Sequence, residues 1–170
     1  MIHVVTGPPA SGKSTFVADH ARAGVDLVID FDVMADAFGA GGSRMYDQAF
    51  ARMVQASRRA AVDYVLKSDH WRGLALDAYI VHTSPNAHQR KRYTEVDAQI
   101  HVLDPGEETV MARIAAERPP HLKDVALDYY YPERREIRRA QKKAAEAQQF
   151  VYTSEGRRVP FKPRTSRQWG

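Results

Sequence analysis

Nine consecutive residues near the start of the chain have the types and spacing needed to hold a polyphosphate. Gly7-Pro8-Pro9-Ala10-Ser11-Gly12-Lys13-Ser14-Thr15 satisfies G-x-x-x-x-G-K-[ST] at every position. A chain of phosphates needs several backbone N–H groups converging on it, so the loop must curl without side chains in the way. Gly7 and Gly12 allow that curl, and a helix beginning at the end of the loop adds a favourable dipole. Lys13 supplies a point charge for the β and γ phosphates. The Ser14 hydroxyl has the length and polarity to ligate Mg²⁺. These residues imply a nucleoside triphosphate and Mg²⁺ as the groups bound.

A second chemical feature is the pair Asp30 and Asp32, which follows the apolar run Leu27-Val28-Ile29. At the carboxyl end of a parallel strand a carboxylate faces the same crevice as the phosphate loop. There it can orient an acceptor hydroxyl and take its proton as the oxygen attacks phosphorus. Strand alternation puts both aspartates on one side, so spacing does not choose between them. Both can also cap the helix that follows. Asp77 is a third carboxylate, but it precedes its apolar run, the wrong end for a metal site. His82, Thr83 and Ser84 occupy the right end of that run, and Thr83 and Ser84 are expected to line the substrate crevice. The histidines show no zinc-ligand spacing.

The elements needed to position these residues follow from the hydrophobic pattern. Ile2–Thr6 is a short buried strand running into the loop. A helix is expected over 14–23, ended by Gly24. Strands follow at Leu27–Ile29, within Leu76–Thr83 and centred on Ala78–His82, and at Ala98–Leu103. Between them the pattern predicts a helix over 45–67, with Met45, Ala49, Met53, Ala56, Ala60 and Tyr64 as its apolar face, and a short helix over 86–94. Glu107–Glu117 is a helix with acid in its first turn, stopped by Pro119-Pro120. Alternating strands and helices predict an α/β fold: a three-layer P-loop domain with a mostly parallel sheet covered by helices.

With the complete loop motif in a strand–loop–helix setting, the chain resembles the P-loop kinase superfamily over about residues 2–120. It is most similar to the small nucleotide, polynucleotide and zeta-toxin-like branch, which includes many bacteriophage proteins. The resemblance implies phosphoryl transfer with Asp32 as the base and Asp30 in reserve. It also implies a lid carrying arginines over the phosphates, for which Arg118 and then Arg113 are the candidates. An arginine fork stays charged and can hold two phosphoryl oxygens; the same residues can instead be exposed partners of Glu117 or Glu108. One departure stands out. Polynucleotide kinases commonly place an arginine soon after the catalytic Asp, but no Lys or Arg occurs here from Gly24 through Ser43. Either Arg44 and Arg52 reach in to bind substrate, or the acceptor carries no phosphate at that point.

The implied reaction is ATP- and Mg²⁺-dependent transfer of the γ-phosphoryl group to a hydroxyl of a nucleotide or polynucleotide, such as a DNA 5′-hydroxyl or a hydroxymethylated base. A small-molecule or nucleoside kinase is one alternative. A P-loop NTPase switch or an ATP-dependent nucleic-acid-binding module is another.

Composition bounds these readings. The 170 residues suffice for one compact domain. The absence of cysteine excludes a disulfide scaffold, a thiol nucleophile and cysteine-ligated metal. No stretch reaches the roughly 20 apolar residues needed to cross a bilayer, and no basic leader is visible, so a cytoplasmic protein is expected, in the host cytoplasm if the chain is of phage origin. Charge is uneven: residues 1–132 carry 14 Lys and Arg against 17 Asp and Glu, whereas residues 133–170 carry 11 against 4. This divides the chain into a kinase-like domain (1–132), a basic helix (133–149) and a basic aperiodic tail (150–170). Arg134, Arg135, Arg138, Arg139, Lys142 and Lys143 form a stripe that suits single-stranded nucleic acid as a partner, or an ordinary solvated helix face. Oligomeric state is not indicated.

Overall fold

The computed structural model describes residues 1–68, 74–148, 150–152 and 158–160. They divide into two compact units, Met1–Tyr130 and Tyr131–Gly170. In the first unit four strands, β1 (Ile2–Thr6), β2 (Leu27–Ile29), β3 (Ala78–His82) and β4 (Gln99–Val102), form one parallel sheet in the order β2-β3-β1-β4. Strands covered on both faces read as short apolar runs without alternation, as β1 and β3 do, while the edge strand β4 is mostly exposed. Register aligns their ends: Thr6 lies opposite both His82 and Val102, and Ile29 lies opposite Ile80. The connections leaving all four strands thus emerge along one edge of the sheet.

Among the described residues of this unit the α-helices are α1 (Lys13–His20), α2 (Phe31–Ala35), α3 (Gln48–Lys67), α4 (Ala87–Thr94), α5 (Glu107–Glu117) and α6 (His121–Tyr130), and a π-helical turn, Asp36–Ala40, continues α2. On one sheet face Val4, Ile29, Ala78 and Ile80 pack with Val62, Val65 and Leu66 of α3 and Tyr93 of α4. On the other, Val5, Tyr79 and Val81 pack with Val17 and Phe16 of α1. Each aliphatic side chain so buried contributes about 1.5–3 kcal/mol of transfer free energy. This is the expected three-layer α/β arrangement. A third cluster joins Val110 and Ile114 of α5 to Leu122, Ala126 and Tyr130 of α6, with Ala10 of the phosphate loop against it.

Several expectations need correction. The period of α3 is helical, but its buried face is Val54, Arg58, Val62, Val65 and Leu66. Met45, Met53 and Tyr64, expected inside, are exposed. Alanines and methionines at three- and four-residue steps defined a stripe, yet the β-branched residues that fit the sheet lie on a different one. Asp47 caps the helix through its Oδ1, 2.7 Å from the Ala49 N–H, so the helix starts after Met45. Helix α1 stops at His20 because Ala21 turns extended. Helix α6 was not expected at all. Pro119-Pro120 ends α5 but also opens α6, the Pro119 and Pro120 carbonyls accepting from Leu122 and Lys123; proline is favourable at a helix start.

In the second unit α7 (Pro132–Gln148) is the basic helix, on which Arg134, Arg138, Arg139 and Lys143 are exposed. The aperiodic tail is broken by two short antiparallel strands, β5 (Phe150–Tyr152) and β6 (Arg158–Pro160). The rest of that tail lies outside the described residues.

Candidate active site

The phosphate loop occupies the sheet edge between β1 and α1. Gly7 has φ +146°, and a Cβ there would come within 2.0 Å of the Leu103 carbonyl oxygen and 2.8 Å of Ser11 Oγ. The loop therefore lies hard against the chain leaving β4, an approach open only to glycine. Pro8, Pro9 and Ser11 are buried, and Gly12, with φ +97°, caps α1 without a side chain. The first bond of that helix runs from the Phe16 N–H to the Gly12 carbonyl, 2.9 Å. The N–H groups of the preceding turn have no intrahelical acceptor, so they remain donors for an anion.

Lys13 is folded over the loop. Its Nζ donates to the carbonyls of Gly7 (2.8 Å) and Pro8 (2.5 Å) and to Ser11 Oγ (3.4 Å). Burial lowers its pKa to about 8, opposed by Asp30, assisted by Arg118 and opposed again by Asp32. These influences place both aspartates and Arg118 in the field of the loop lysine. Ser14 and Thr15 are exposed in the first turn of α1. Among the described residues no three His, Asp or Glu gather as a metal cluster. A single hydroxyl fits Mg²⁺, which takes one or two protein ligands together with phosphate oxygens and water.

The two aspartates are separated by structure where strand alternation did not separate them. Strand β2 ends at Ile29, so Asp32 already lies in α2 and alternation does not apply. Asp30 is the buried N-cap: its Oδ1 accepts from the N–H groups of Asp32 (2.7 Å) and Val33 (3.3 Å). Asp32 caps nothing, and its side chain is 46% exposed. Its Oδ1 accepts from the Tyr46 hydroxyl at 3.0 Å, while Oδ2 lies 3.4 Å from Arg44 Nε. Burial, with Asp32 beside it, raises the Tyr46 pKa, so the phenol stays a donor.

Arg44, across the glycine-rich turn, pairs with Asp32 and with Asp36, 3.2 Å. Arg52 stays exposed on α3. The Thr83 carbonyl accepts from the Gly7 N–H at 3.3 Å, which ties the loop after β3 to the phosphate loop; Ser84 is exposed beside it. Arg113 NH1 donates to the Ala10 carbonyl at 3.1 Å and so braces the phosphate loop from α5. Arg118 is the exposed C-cap of α5. Asp77 pairs with the terminal amine of Met1 at 2.5 Å, at the sheet end opposite the loop.

Sequence reasoning missed two residues here. Tyr46, the hydroxyl that fixes Asp32, gave no local signal. Arg58 did: it stands four residues from both Val54 and Val62, on the face that proves to be buried.

No curated protein matches the chain. A family of AAA domains, which includes many P-loop kinases, matches residues 2–151, spanning the loop, both aspartates and both candidate lid arginines. The P-loop, the four-stranded parallel sheet and that match together make the chain a member of the AAA domain family AAA_33, a P-loop NTPase-like fold whose relatives generally bind nucleotide.

Proposed function

We propose that the chain transfers the γ-phosphoryl group of ATP to a hydroxyl of a nucleotide or polynucleotide. The observation that supports this best is Asp32, an exposed carboxylate held by Tyr46 and Arg44 in the field of the phosphate-loop lysine. A machine that only hydrolyses ATP needs a carboxylate placed for water after its metal-site strand, and β3 runs into His82, Thr83 and Ser84 instead.

In the transfer, the acceptor oxygen forms a bond to the γ-phosphorus as the bond to the leaving diphosphate breaks, in line. Asp32 takes the hydroxyl proton. The backbone donors at the start of α1 and the Lys13 ammonium hold the phosphate oxygens, and Arg118, whose charge acts on Lys13, meets charge that develops on them. Ser14 would hold Mg²⁺, which when bound neutralises charge on the β and γ oxygens. Asp30 keeps α2, and with it Asp32, in place.

The test is incubation of the protein with γ-labelled ATP and a panel of DNA ends, nucleosides and nucleotides, beside the Lys13→Ala variant. Label appearing on an acceptor, and absent with Lys13→Ala, is the expected result. Label released only as inorganic phosphate would replace the transferase with a hydrolase.

A further inference from the structure

Among the side chains that α3 buries is one cation. Arg58 is 6% exposed and donates from one NH2 to the Val81 carbonyl at the end of β3. Among the described residues no carboxylate makes an ion pair with it. A guanidinium carries five N–H donors, and taking its charge out of water is expensive unless an anion compensates. Burial lowers its pKa accordingly.

Arg58 lines a cleft of about 210 Å³ between α3, the end of β3 and the first turn of α4, together with Arg59, His82, Asn86, Gln89 and Arg92. The lining is consistent in sign. Arg92 is paired with Asp63 at 2.6 Å, which cancels the one carboxylate present. The side-chain oxygens of Asn86 and Gln89 accept from each other's backbone N–H, 2.9 Å each, so their NH2 groups are the ends left to donate. His82 bonds through Nε2 to the Tyr93 hydroxyl and is neutral, its pKa held down to about 3 by burial and by Arg58. What remains is two guanidinium groups with surrounding donors and no free acid. The end of β3 joins the cleft to the phosphate loop: the Val81 carbonyl accepts from Arg58, and two residues on the Thr83 carbonyl accepts from the Gly7 N–H.

We propose that this cleft is the acceptor's phosphate subsite: Arg58 holds a phosphate that the acceptor already carries, while the acceptor hydroxyl is presented to Asp32. The substrate class is therefore a phosphorylated hydroxyl compound, a nucleotide rather than a nucleoside. This assignment of the acceptor rests on the transferase reading above. The anion site itself does not.

The test holds the phosphate loop saturated with a non-hydrolysable ATP analogue and Mg²⁺, then titrates nucleoside 5′-monophosphates and the matching nucleosides by calorimetry. A monophosphate should bind at least about tenfold more tightly than its nucleoside, the scale of one charge-assisted hydrogen-bonded contact. Arg58→Gln should remove that preference, and Arg58→Lys should restore part of it. Thermal unfolding shows whether each variant is folded. Should Arg58→Gln not fold, Arg59→Glu reverses charge at an exposed rim position and should weaken the monophosphate at least about fivefold. Equal binding of monophosphate and nucleoside, or a preference unchanged by these substitutions, overturns the proposal. If labelled transfer proceeds equally on nucleosides with an unchanged acceptor KM in Arg58→Gln, the transferase stands and the subsite falls. If no acceptor is labelled while the monophosphate preference persists and is lost in Arg58→Gln, the anion site stands and the transferase falls.

Discussion

Replacing Gly7 with alanine places a methyl carbon 2.0 Å from the Leu103 carbonyl oxygen, where ordinary contact begins at 3.4 Å. Both partners are backbone, so relief requires one strand connection to move by more than an ångström against the other. Overpacking of this kind costs about 1–3 kcal/mol, and a positive φ adds about 1–2 kcal/mol for a residue with a Cβ. The expected loss is therefore about 2–5 kcal/mol. Gly12→Ala is the internal control. It meets the same backbone penalty, about 1–2 kcal/mol, but its Cβ has nothing within 4 Å. At about 2–4 °C per kcal/mol for a chain of this size, Gly7→Ala should melt about 4–20 °C below the wild type and clearly below Gly12→Ala. Calorimetry with and without a non-hydrolysable ATP analogue gives the second readout. A ligand that binds only the native state raises Tm, and Gly7→Ala should lose that rise because the loop has been displaced. Equal melting of the two variants, with the nucleotide shift intact in Gly7→Ala, would refute the close approach of the loop to the β4 connection.

Three further outcomes are expected. Asp30→Ala should cost about 0.5–2 kcal/mol through loss of the α2 cap, whereas Asp30→Asn, which keeps an accepting oxygen, should cost much less; denaturant midpoints distinguish them. Asp32→Asn should keep ATP affinity by calorimetry and lose at least about 100-fold in labelled transfer, the lower scale for a positioned base, and near-normal transfer would move the base elsewhere. Because the folded-state pKa of Lys13 is lowered to about 8 by burial, the native state has released this proton between about pH 8 and the ordinary lysine value of 10.5, while the unfolded chain still holds it. Stability should rise with pH across that window, and the rise should be absent in Lys13→Met; a wild-type unfolding midpoint that does not rise with pH there contradicts the buried lysine.

The phosphate loop and the succession of strands along the chain were legible because each is a local pattern: a nine-residue motif, and apolar runs ended by turn residues. The site between them was less so. Asp30 and Asp32 looked equivalent while the chain was read as strand, and became different only where the backbone turned helical at Phe31 and Asp30 took the cap. Arg44 could be proposed from the lack of any nearer cation, but its pairing with Asp32 depends on a turn of the chain over 36–47. The buried face of α3 was misjudged because helical period fixes spacing and leaves rotation open; only the sheet surface decides which stripe it accepts. Arg58 lies off the expected stripe and on the one that is buried. Helix α6 was hidden by reading Pro119-Pro120 as a stop alone, although Leu122, Ala126 and Tyr130 recur at four-residue steps.

The carbonyls of Gly7 and Pro8 already give the Lys13 ammonium two acceptors. Taking up a phosphate at this loop is thus an exchange of partners and not the filling of an idle cation, and its enthalpy is a difference between two sets of hydrogen bonds. A singly charged anion offers the ammonium little more than the carbonyls do. A triphosphate offers several full charges at once and engages the donors of α1 in the same event. The loop's own backbone therefore favours ligands of high charge density over weakly charged ones.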